Sequence, residues 1–218
     1  MKYLGYVTVR LNSERVPQKS VKKVGGIPLV QRTIATLNQV NAISDSVLYC
    51  SDDSIKGYID PRQQYAFSYV KRSKHLDADD TTFNDVLESI VDDLDTDFIV
   101  FLSCTSPFIK ATTIQDMIFQ IENNGYDSAF AAITANSFCW FMNRPLNYDP
   151  SNVPRTQDIE PVIIEASSLY IFQKELFKKS KRRIGFNPYI KIVDTFEGWD
   201  IDTLDDLKMA ELIAARNA

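Results

Sequence analysis

The chain has 218 residues, of which 44 % are hydrophobic and 24 % are charged, and its formal net charge at pH 7 is -5. This length suffices for one large domain with a substantial core, and the acidic balance argues against general binding to nucleic acid or to membrane surfaces. No apolar stretch approaches the roughly 20 residues of a membrane helix, and the run after Met1 is too short for a signal peptide, so we expect neither.

Strand-like apolar runs recur along the chain, at residues 6–9, 46–50, 67–70, 97–103, 128–132, 168–172 and 189–193. Segments with helical period accompany them, at residues 28–40, 82–94, 112–123 and 206–217. This alternation predicts a single α/β domain over residues 1–218, with a mostly parallel central sheet flanked by helices. The segment 134–165 is rich in Asn, Pro and aromatic residues, and we interpret it as an excursion from the sheet, a lobe or a subunit contact, rather than a second domain.

The cysteines and the distribution of basic residues set two further limits. Cys50, Cys104 and Cys139 are odd in number and show no CxxC spacing, and His75 is the one histidine of the sequence, which argues against a zinc site. This composition predicts a cytoplasmic protein in a reducing compartment. The basic run at 178–183 is more typical of a solvated face than of a nucleic-acid site on an acidic protein.

A basic loop follows the first predicted strand. Arg10, Arg15 and Lys19 can neutralise phosphate oxygens, and arginine does so through a bidentate fork. Gly25 and Gly26 permit a tight turn shortly afterwards. The spacing matches neither GxGxxG nor GxxxxGK[ST], so this is neither a dinucleotide-binding loop nor a Walker loop. Alone, the segment is as typical of a charged surface loop as of a polyphosphate site.

Two later segments also follow predicted strands, which is where ligands bind in open α/β sheets. Ser103 and Thr105, in FLSCTSPF, offer hydroxyls suited to a sugar or a base, although taken alone this segment is better explained by an ordinary Ser/Thr turn stopped by Pro107. Asp200 and Asp202 are two residues apart in a predicted extended segment, so their carboxylates point the same way.

No Lys or Arg stands close to this acidic pair in the sequence, so the two carboxylates would repel each other unless a cation bridges them. Mg²⁺ takes one or two carboxylates together with phosphate oxygens. Helix capping by Asp205 and Asp206 is an alternative role for acidic residues here, but it does not explain the preceding pair. Taken together, the basic loop, the turn with Ser103 and Thr105, and the acidic pair indicate nucleotidyl transfer. This reaction depends on positioning of the reactants and on charge neutralisation at phosphorus.

These motifs together resemble those of the acylneuraminate cytidylyltransferases (CMP-sialic acid synthetases) and, more distantly, of the CMP-Kdo synthetases. The matching segments run through the chain in order: R-x-x-S-x-R-x-P-x-K from Arg10 to Lys19, YCSDD at 49–53, Arg72 with Asp79 and Thr81, LSCTSPF at 102–108, and WDIDTLDDLKMAE at 199–211. Agreement among several motifs is more specific than any one of them.

The resemblance implies a Rossmann-like nucleotidyltransferase fold and transfer of CMP from CTP to a sugar acid, with release of pyrophosphate. The implied catalytic residues are Arg10, Lys19, Asp200 and Asp202, with Mg²⁺ on the two aspartates. The implied nucleotide-binding residues are Arg10, Ser13, Arg15, Lys19, Arg72, Asp79, Ser103 and Thr105. A homodimer is implied as well, with segment 134–165 forming much of the contact.

The predicted acceptor site departs from the family pattern. Sialic-acid enzymes commonly have R-P-N-G-A-I-Y before the late strand, whereas this chain has I-E-A-S-S-L-Y, so a cation for the acceptor carboxylate is missing and Glu165 stands beside the gap. Glu165 would either receive an amino or hydroxyl group of the acceptor or simply cap a strand. Ser167 beside it completes the predicted acceptor residues, together with Gln157, which lies in an R-x-Q pair that the family often has near the dimer contact and the acceptor.

Three functions are therefore compatible with the sequence. The leading one is a Mg²⁺-dependent CTP:sugar-acid cytidylyltransferase. The second is a nucleotidyltransferase acting on a phosphate, phosphonate or other acceptor, which the missing cation does not exclude. The third is a catalytically silent homologue that binds nucleotide or serves only as a subunit scaffold, although the intact basic loop and acidic pair argue against it.

Overall fold

A central sheet and flanking helices make up the computed structural model, which describes residues 1–216. The strands, in chain order, are β1 (Tyr3–Val9), β2 (Lys23–Val24), β3 (Ile27–Pro28), β4 (Ile43–Cys50), β5 (Ser68–Lys71), β6 (Phe98–Leu102), β7 (Ser128–Ala135), β8 (Trp140–Phe141), β9 (Arg144–Pro145), β10 (Val162–Gln173) and β11 (Pro188–Ile192). The α-helices are α1 (Leu29–Asn38), α2 (Phe83–Glu88), α3 (Ala111–Asn124), α4 (Lys174–Ser180) and α5 (Leu204–Arg216). Among these described residues, no helix combines the length and the apolar character needed to cross a membrane.

The strand order of the central sheet determines which loops become neighbours. Within residues 1–216 the sheet has seven strands in the order β11-β7-β10-β6-β1-β4-β5. Strand β10 runs antiparallel to its neighbours β6 and β7, and the other neighbouring pairs are parallel. The predicted α/β fold with a mostly parallel sheet is thus confirmed. The carboxyl ends of β6, β1, β4 and β5 lie side by side along one edge, so the loops that follow them are neighbours too.

Two hydrophobic clusters, one on each face of the sheet, hold the helices in place. Leu29, Ile34 and Leu37 of α1 are fully buried in the first cluster and recur with the predicted helical period. Phe177 of α4 packs against Phe172 of β10 in the second cluster. Because helices cover both faces, the central strands are almost continuously apolar, as the fully buried FIVFL sequence of β6 illustrates.

Two predicted helices have different boundaries in the structure. The helix predicted over 82–94 begins with a Thr82–Asp85 capping box but ends at Glu88, because Ile90 has φ and ψ of -134° and -16°, outside the helical region. The last helix begins at Leu204, directly after Thr203, whose hydroxyl accepts a hydrogen bond from the Asp206 amide at 3.2 Å. Asn217, the last residue of that predicted helix, lies outside the described residues.

The segment predicted as an excursion, 134–165, belongs to the sheet at both of its ends. Ala135 pairs with Val162 and Ala132 with Glu165 in the antiparallel ladder of β7 and β10, so the irregular part covers residues 136–161 and holds the β8–β9 hairpin. The register of β10 shifts between Glu165 and Tyr170, and Ser167 there has a φ of 53°, which is uncommon for a residue other than glycine. Strand β10 therefore carries a bulge beside the predicted acceptor residues.

Gly5 allows β1 and β4 to pack closely beneath α1. A Cβ atom at this position would lie 2.3 Å from Ser46 Oγ and 3.1 Å from Leu37 Cδ1. We expect Gly5→Ala to lower the free energy of unfolding in urea by about 1–3 kcal/mol, because the neighbours must move to admit the methyl group. Ser46→Ala should restore part of that loss, since it removes the nearest atom. Alone, Ser46→Ala should be nearly neutral, because the buried hydroxyl has no hydrogen-bond partner within residues 1–216. A double variant no more stable than Gly5→Ala would contradict this account.

Candidate active site

A polar cleft of about 290 Å³ opens between the loops that follow β1 and β6. The predicted nucleotide-binding residues that the structure brings together here are Arg10, Ser13, Arg15, Lys19, Ser103 and Thr105. They meet because β1 and β6 are parallel neighbours whose carboxyl ends share one edge of the sheet. The cleft therefore combines guanidinium, ammonium and hydroxyl groups, the donors that bind phosphate oxygens and sugar hydroxyls.

The basic loop is anchored on both sides of Lys19. Val16 is fully buried and Val21 nearly so, which ties the loop to the core, and Lys19 opens a short 3₁₀ turn between them. Gly25 and Gly26 have φ values of 58° and 78° and turn the chain through the β2–β3 hairpin into α1. The loop thus presents its cations from a fixed backbone, unlike an ordinary charged surface loop.

The acidic pair lies against the same loop. The Ile201 amide donates to the Thr105 carbonyl at 2.9 Å, and Lys19 Nζ donates to the Ile201 carbonyl at 2.7 Å. Asp202 Oδ1 lies 3.2 Å from Arg15 Nη2 and 3.2 Å from Lys19 Nζ. No basic residue is close to Asp202 in the sequence, but the fold supplies it with two cations from a distant loop, so its charge is partly neutralised without a metal ion.

Asp200 differs from Asp202 in its surroundings. Burial raises the pKa of Asp200, hydrogen bonds from the Thr105 and Ser106 hydroxyls oppose that rise, and the negative charge of Asp202 adds to it. The bond from Ser106 Oγ to Asp200 Oδ1 measures 3.0 Å. At the start of α5, it is Asp206 that caps the helix, because its carboxylate accepts a hydrogen bond from the Thr203 amide at 2.8 Å. The acidic pair therefore does not cap this helix.

The donor set at the acidic pair fits a magnesium ion that is shared with a substrate. Within residues 1–216, no group of three His, Cys, Asp or Glu side chains is arranged to hold a metal ion. Two carboxylates beside a basic cleft leave coordination positions for phosphate oxygens, and Mg²⁺ commonly binds through one or two carboxylates plus phosphates and water. The chemistry of the residues thus matches the predicted metal.

Arg72 lines a smaller hollow of about 160 Å³ on the other side of Arg10. Its side chain is only 4 % exposed and forms an ion pair with Asp77, and its Nη1 donates to Thr8 Oγ1 at 2.7 Å. Its Nε has no hydrogen-bond partner within residues 1–216. Asp79 lies nearby, with Oδ1 3.1 Å from Arg10 Nη1. Arg72 therefore lines the hollow beside the cleft, and Asp79 is connected to the cleft through its ion pair with Arg10. Sequence reasoning missed Asp77, because an aspartate five residues after an arginine carries no distinctive signal.

Two of the three predicted acceptor residues, Glu165 and Ser167, are neighbours, and the third, Gln157, lies apart from them. Glu165 Oε2 accepts a hydrogen bond of 2.7 Å from Tyr170 Oη, and burial raises the pKa of that phenol to about 12, so it remains a donor. Glu165 and Ser167 are exposed and share the bulge of β10. Gln157 instead lies exposed in the loop before β10, beside the Arg155–Asp158 ion pair.

Known proteins resemble this chain in sequence and in fold. N-acylneuraminate cytidylyltransferase A of Danio rerio is 24 % identical over 214 residues, which are 94 % of this chain and 49 % of that protein. CMP-N,N'-diacetyllegionaminic acid synthase of Legionella pneumophila is 32 % identical over 127 residues, which are 54 % of this chain and 52 % of that protein. The chain thus spans about half the length of the curated relatives it matches. A CMP:2-keto-3-deoxy-manno-octonic acid synthetase, solved in complex with CTP, matches 100 % of both chains with a TM-score of 0.73 and 13 % identity.

The structural match shows the nucleotidyltransferase fold, and the sequence matches agree with the resemblance that the motifs carry. The family model for cytidylyltransferases aligns with residues 5–208. This alignment includes the basic loop, the turn with Ser103 and Thr105, and the acidic pair, so it extends over every part of the cleft described above. The chain belongs to the cytidylyltransferase family.

Proposed function

We propose that this chain transfers CMP from CTP to a sugar acid of the 3-deoxy-2-keto type and releases pyrophosphate. The observation that carries the proposal is the basic cleft with the Asp200–Asp202 pair at its rim, where Lys19 contacts the acidic segment directly. Such a site can hold a triphosphate and neutralise the charge that develops at its phosphorus atoms.

In this proposal each group has a defined task. Arg10, Ser13, Arg15 and Lys19 bind the phosphates, while Ser103, Thr105, Arg72 and Asp79 shape the nucleoside side of the cleft. Asp200 and Asp202 would hold Mg²⁺, which supplies Lewis-acid neutralisation of phosphate charge when bound. The acceptor hydroxyl oxygen forms a bond to the α-phosphorus and releases its proton to solvent. The bond from the α-phosphorus to its bridging oxygen breaks, and the bridging oxygen leaves as part of pyrophosphate.

The acceptor class follows from the relatives, and the acceptor itself is left to experiment. The names of the matched proteins refer to N-acylneuraminate, to diacetyllegionaminic acid and to a 2-keto-3-deoxy-octonic acid, which are all sugar acids. We assign Glu165 and Ser167 to the acceptor end of the cleft, because the β10 bulge exposes both beside the sheet edge. Gln157 would join them only if the loop before β10 lies over the site.

We also propose that the chain forms a homodimer through the segment 136–161. The β8–β9 hairpin exposes Trp140, Phe141 and Met142, the last with 81 % of its surface accessible. Neighbouring exposed apolar side chains of this kind mark protein interfaces. Sedimentation equilibrium should give twice the chain mass, and the variant Phe141→Asp should give the mass of one chain. A monomeric wild-type protein would disprove the assembly.

The decisive experiment for the function is pyrophosphate release from each nucleoside triphosphate with Mg²⁺ and a panel of sugar acids that includes N-acetylneuraminic acid. Release that requires CTP and one acid confirms the reaction. Release with a phosphate or phosphonate acceptor instead would establish the second hypothesis. If CTP fails to bind in the presence of Mg²⁺, both enzymatic readings are disproved.

A further inference from the structure

Arg183 lies on two aromatic rings next to the proposed acceptor end of the cleft. Its guanidinium carbon is 4.1 Å from the centre of the Tyr170 ring and 5.2 Å from that of the Phe83 ring. The Tyr170 hydroxyl in turn holds Glu165. Arg183 is half-buried, so it departs from the solvated face predicted for the basic run 178–183.

The donors of Arg183 are free, in contrast to those of the other cations around the cleft. Arg10, Arg15, Lys19 and Arg72 each have a carboxylate partner. Arg183 forms neither an ion pair nor a side-chain hydrogen bond with any residue in the described range 1–216. Stacking on rings occupies the flat faces of a guanidinium and leaves its N–H edges available. The N–H groups of the half-buried Arg183 side chain are therefore available to bind a negatively charged ligand.

Both aromatic rings that Arg183 contacts belong to segments near the nucleotide cleft. Phe83 lines the hollow that also contains Arg10 and Arg72. On the other side, Tyr170 follows Ser168 by two residues on β10, and the Ser168 carbonyl accepts from the Ser103 amide at 2.8 Å. Both rings beneath Arg183 are thus attached to walls of the proposed site. A molecule bound beside Glu165 would therefore lie close to the Tyr170 ring on which Arg183 stacks.

We propose that Arg183 binds the carboxylate of the sugar-acid acceptor and selects for acids over neutral sugars. This inference rests on the proposed function and names the residue that supplies the cation missing from segment 164–167. A guanidinium fork matches a carboxylate with two parallel hydrogen bonds, and the rings keep it oriented before binding. Arg183 lies in the segment that follows α4, whereas Glu165 lies on β10. In this proposal, the acceptor carboxylate is therefore bound by a different segment from the one that carries Glu165.

The test compares wild type with Arg183→Gln and Arg183→Lys, and uses Arg182→Gln as the matched control. Arg182 is the adjacent arginine, and it donates only to the Ile184 and Gly185 carbonyls among the described residues, at 3.0 Å and 3.2 Å. We expect Arg183→Gln to raise the KM of the acceptor about 10- to 100-fold, as expected for a lost charged hydrogen bond, with the KM of CTP unchanged. The acceptor KM of Arg183→Lys should lie between those of wild type and Arg183→Gln, and the acceptor KM of Arg182→Gln should equal that of wild type.

A second measurement separates recognition of charge from a purely structural role. Wild type should prefer the free acid over its methyl ester, and Arg183→Gln should lose that preference. If Arg183→Gln lowers the melting temperature but leaves the acceptor KM and the ester discrimination unchanged, the arginine only stabilises the packing of rings and the inference is overturned.

A binding measurement keeps this inference distinct from the proposed function. Calorimetric titration with N-acetylneuraminic acid and with the active panel acid needs no turnover, and the affinity should drop in Arg183→Gln. Equal affinities, or no binding of any panel acid to wild type, overturn the role of Arg183. Pyrophosphate release from CTP is scored separately, so a neutral acceptor that supports release would preserve the transferase and discard only the carboxylate contact.

Discussion

Asp200→Asn should lower kcat by about 10³-fold, because it removes a charged oxygen from the proposed metal site while it preserves the shape of the side chain. A bound metal stabilises transition-state charge by several kcal/mol, and each 1.36 kcal/mol corresponds to a factor of ten. The amide oxygen can still accept the hydrogen bond from Ser106 Oγ. The loss would therefore report on charge and metal binding, and not on a collapsed loop. Steady-state rates at saturating CTP and Mg²⁺ measure it.

The same substitution should leave the metal-free protein equally stable or make it more stable at pH 7. Burial raises the pKa of Asp200 above its ordinary value of 3.8, so the folded state binds this proton more tightly than the unfolded chain. Stability from this group is therefore present at low pH and lost as the pH rises through the raised pKa. The uncharged Asn avoids that loss. Melting temperatures in EDTA at pH 7 test the sign.

Asp205→Asn provides the control for Asp200→Asn. Asp205 stands in the first turn of α5 with 89 % of its side chain exposed and pairs with Lys208. Its charge lies outside the cleft, so kcat should remain within twofold of wild type. Activity of Asp200→Asn within tenfold of wild type would remove the acidic pair from the proposed mechanism. A clear fall in its melting temperature in EDTA would contradict the account of the buried Asp200 charge.

Arg72→Ala should have the largest effect on stability, a loss of about 3–5 kcal/mol in the free energy of unfolding. The side chains of Arg72 and Asp77 are only 4 % and 12 % exposed, so the variant leaves a carboxylate desolvated without its cation. Thr8 also loses the donor to its hydroxyl. Urea unfolding curves with unchanged slope and a lower midpoint would measure this loss.

Two further variants isolate the ion pair as the cause. Arg62→Ala breaks a pair with Asp60 in which the arginine is 87 % exposed, and it should cost about 0–1 kcal/mol. Asp77→Asn in the Arg72→Ala background should recover part of the loss, because it removes the stranded charge. A loss below 1 kcal/mol for Arg72→Ala would show that the pair contributes little and that Arg72 is held by packing alone.

The fold was predictable where burial imposes a period or an apolar run. Leu29, Ile34 and Leu37 recur with helical spacing because one side of α1 faces the sheet, and β6 is apolar throughout because helices cover both of its faces. The early end of α2 was not predictable, since apolar residues continue past Glu88 and contribute to the core from a 3₁₀ turn. The spacing of apolar residues predicts which face of a helix or strand is buried, but it does not predict every change of backbone conformation.

The candidate site was predictable as a set of residues but not as a set of contacts. The basic loop and the acidic pair stand out in the sequence by charge and spacing, whereas the contact of Asp202 with Lys19 joins segments 183 residues apart. The Arg72–Asp77 ion pair and the Arg183 stack are likewise products of tertiary packing. In the run KKSKRR all the basic residues look equivalent, and only the positions of the Tyr170 and Phe83 rings distinguish one of them.

The reversed direction of β10 has a consequence for how this fold can diversify. Parallel strands bring to the binding edge the residues that follow them, whereas β10 brings its own first half, including Glu165, and the residues that precede it. The segment 136–161 thus enters the binding edge from outside the sheet, with both of its ends fixed by the β7–β10 ladder. Insertions or exchanges there can remodel the acceptor end without altering the loops of β1 and β6. If the proposed function holds, grafting this segment between relatives should change the acceptor preference and leave the proposed nucleotide cleft unchanged.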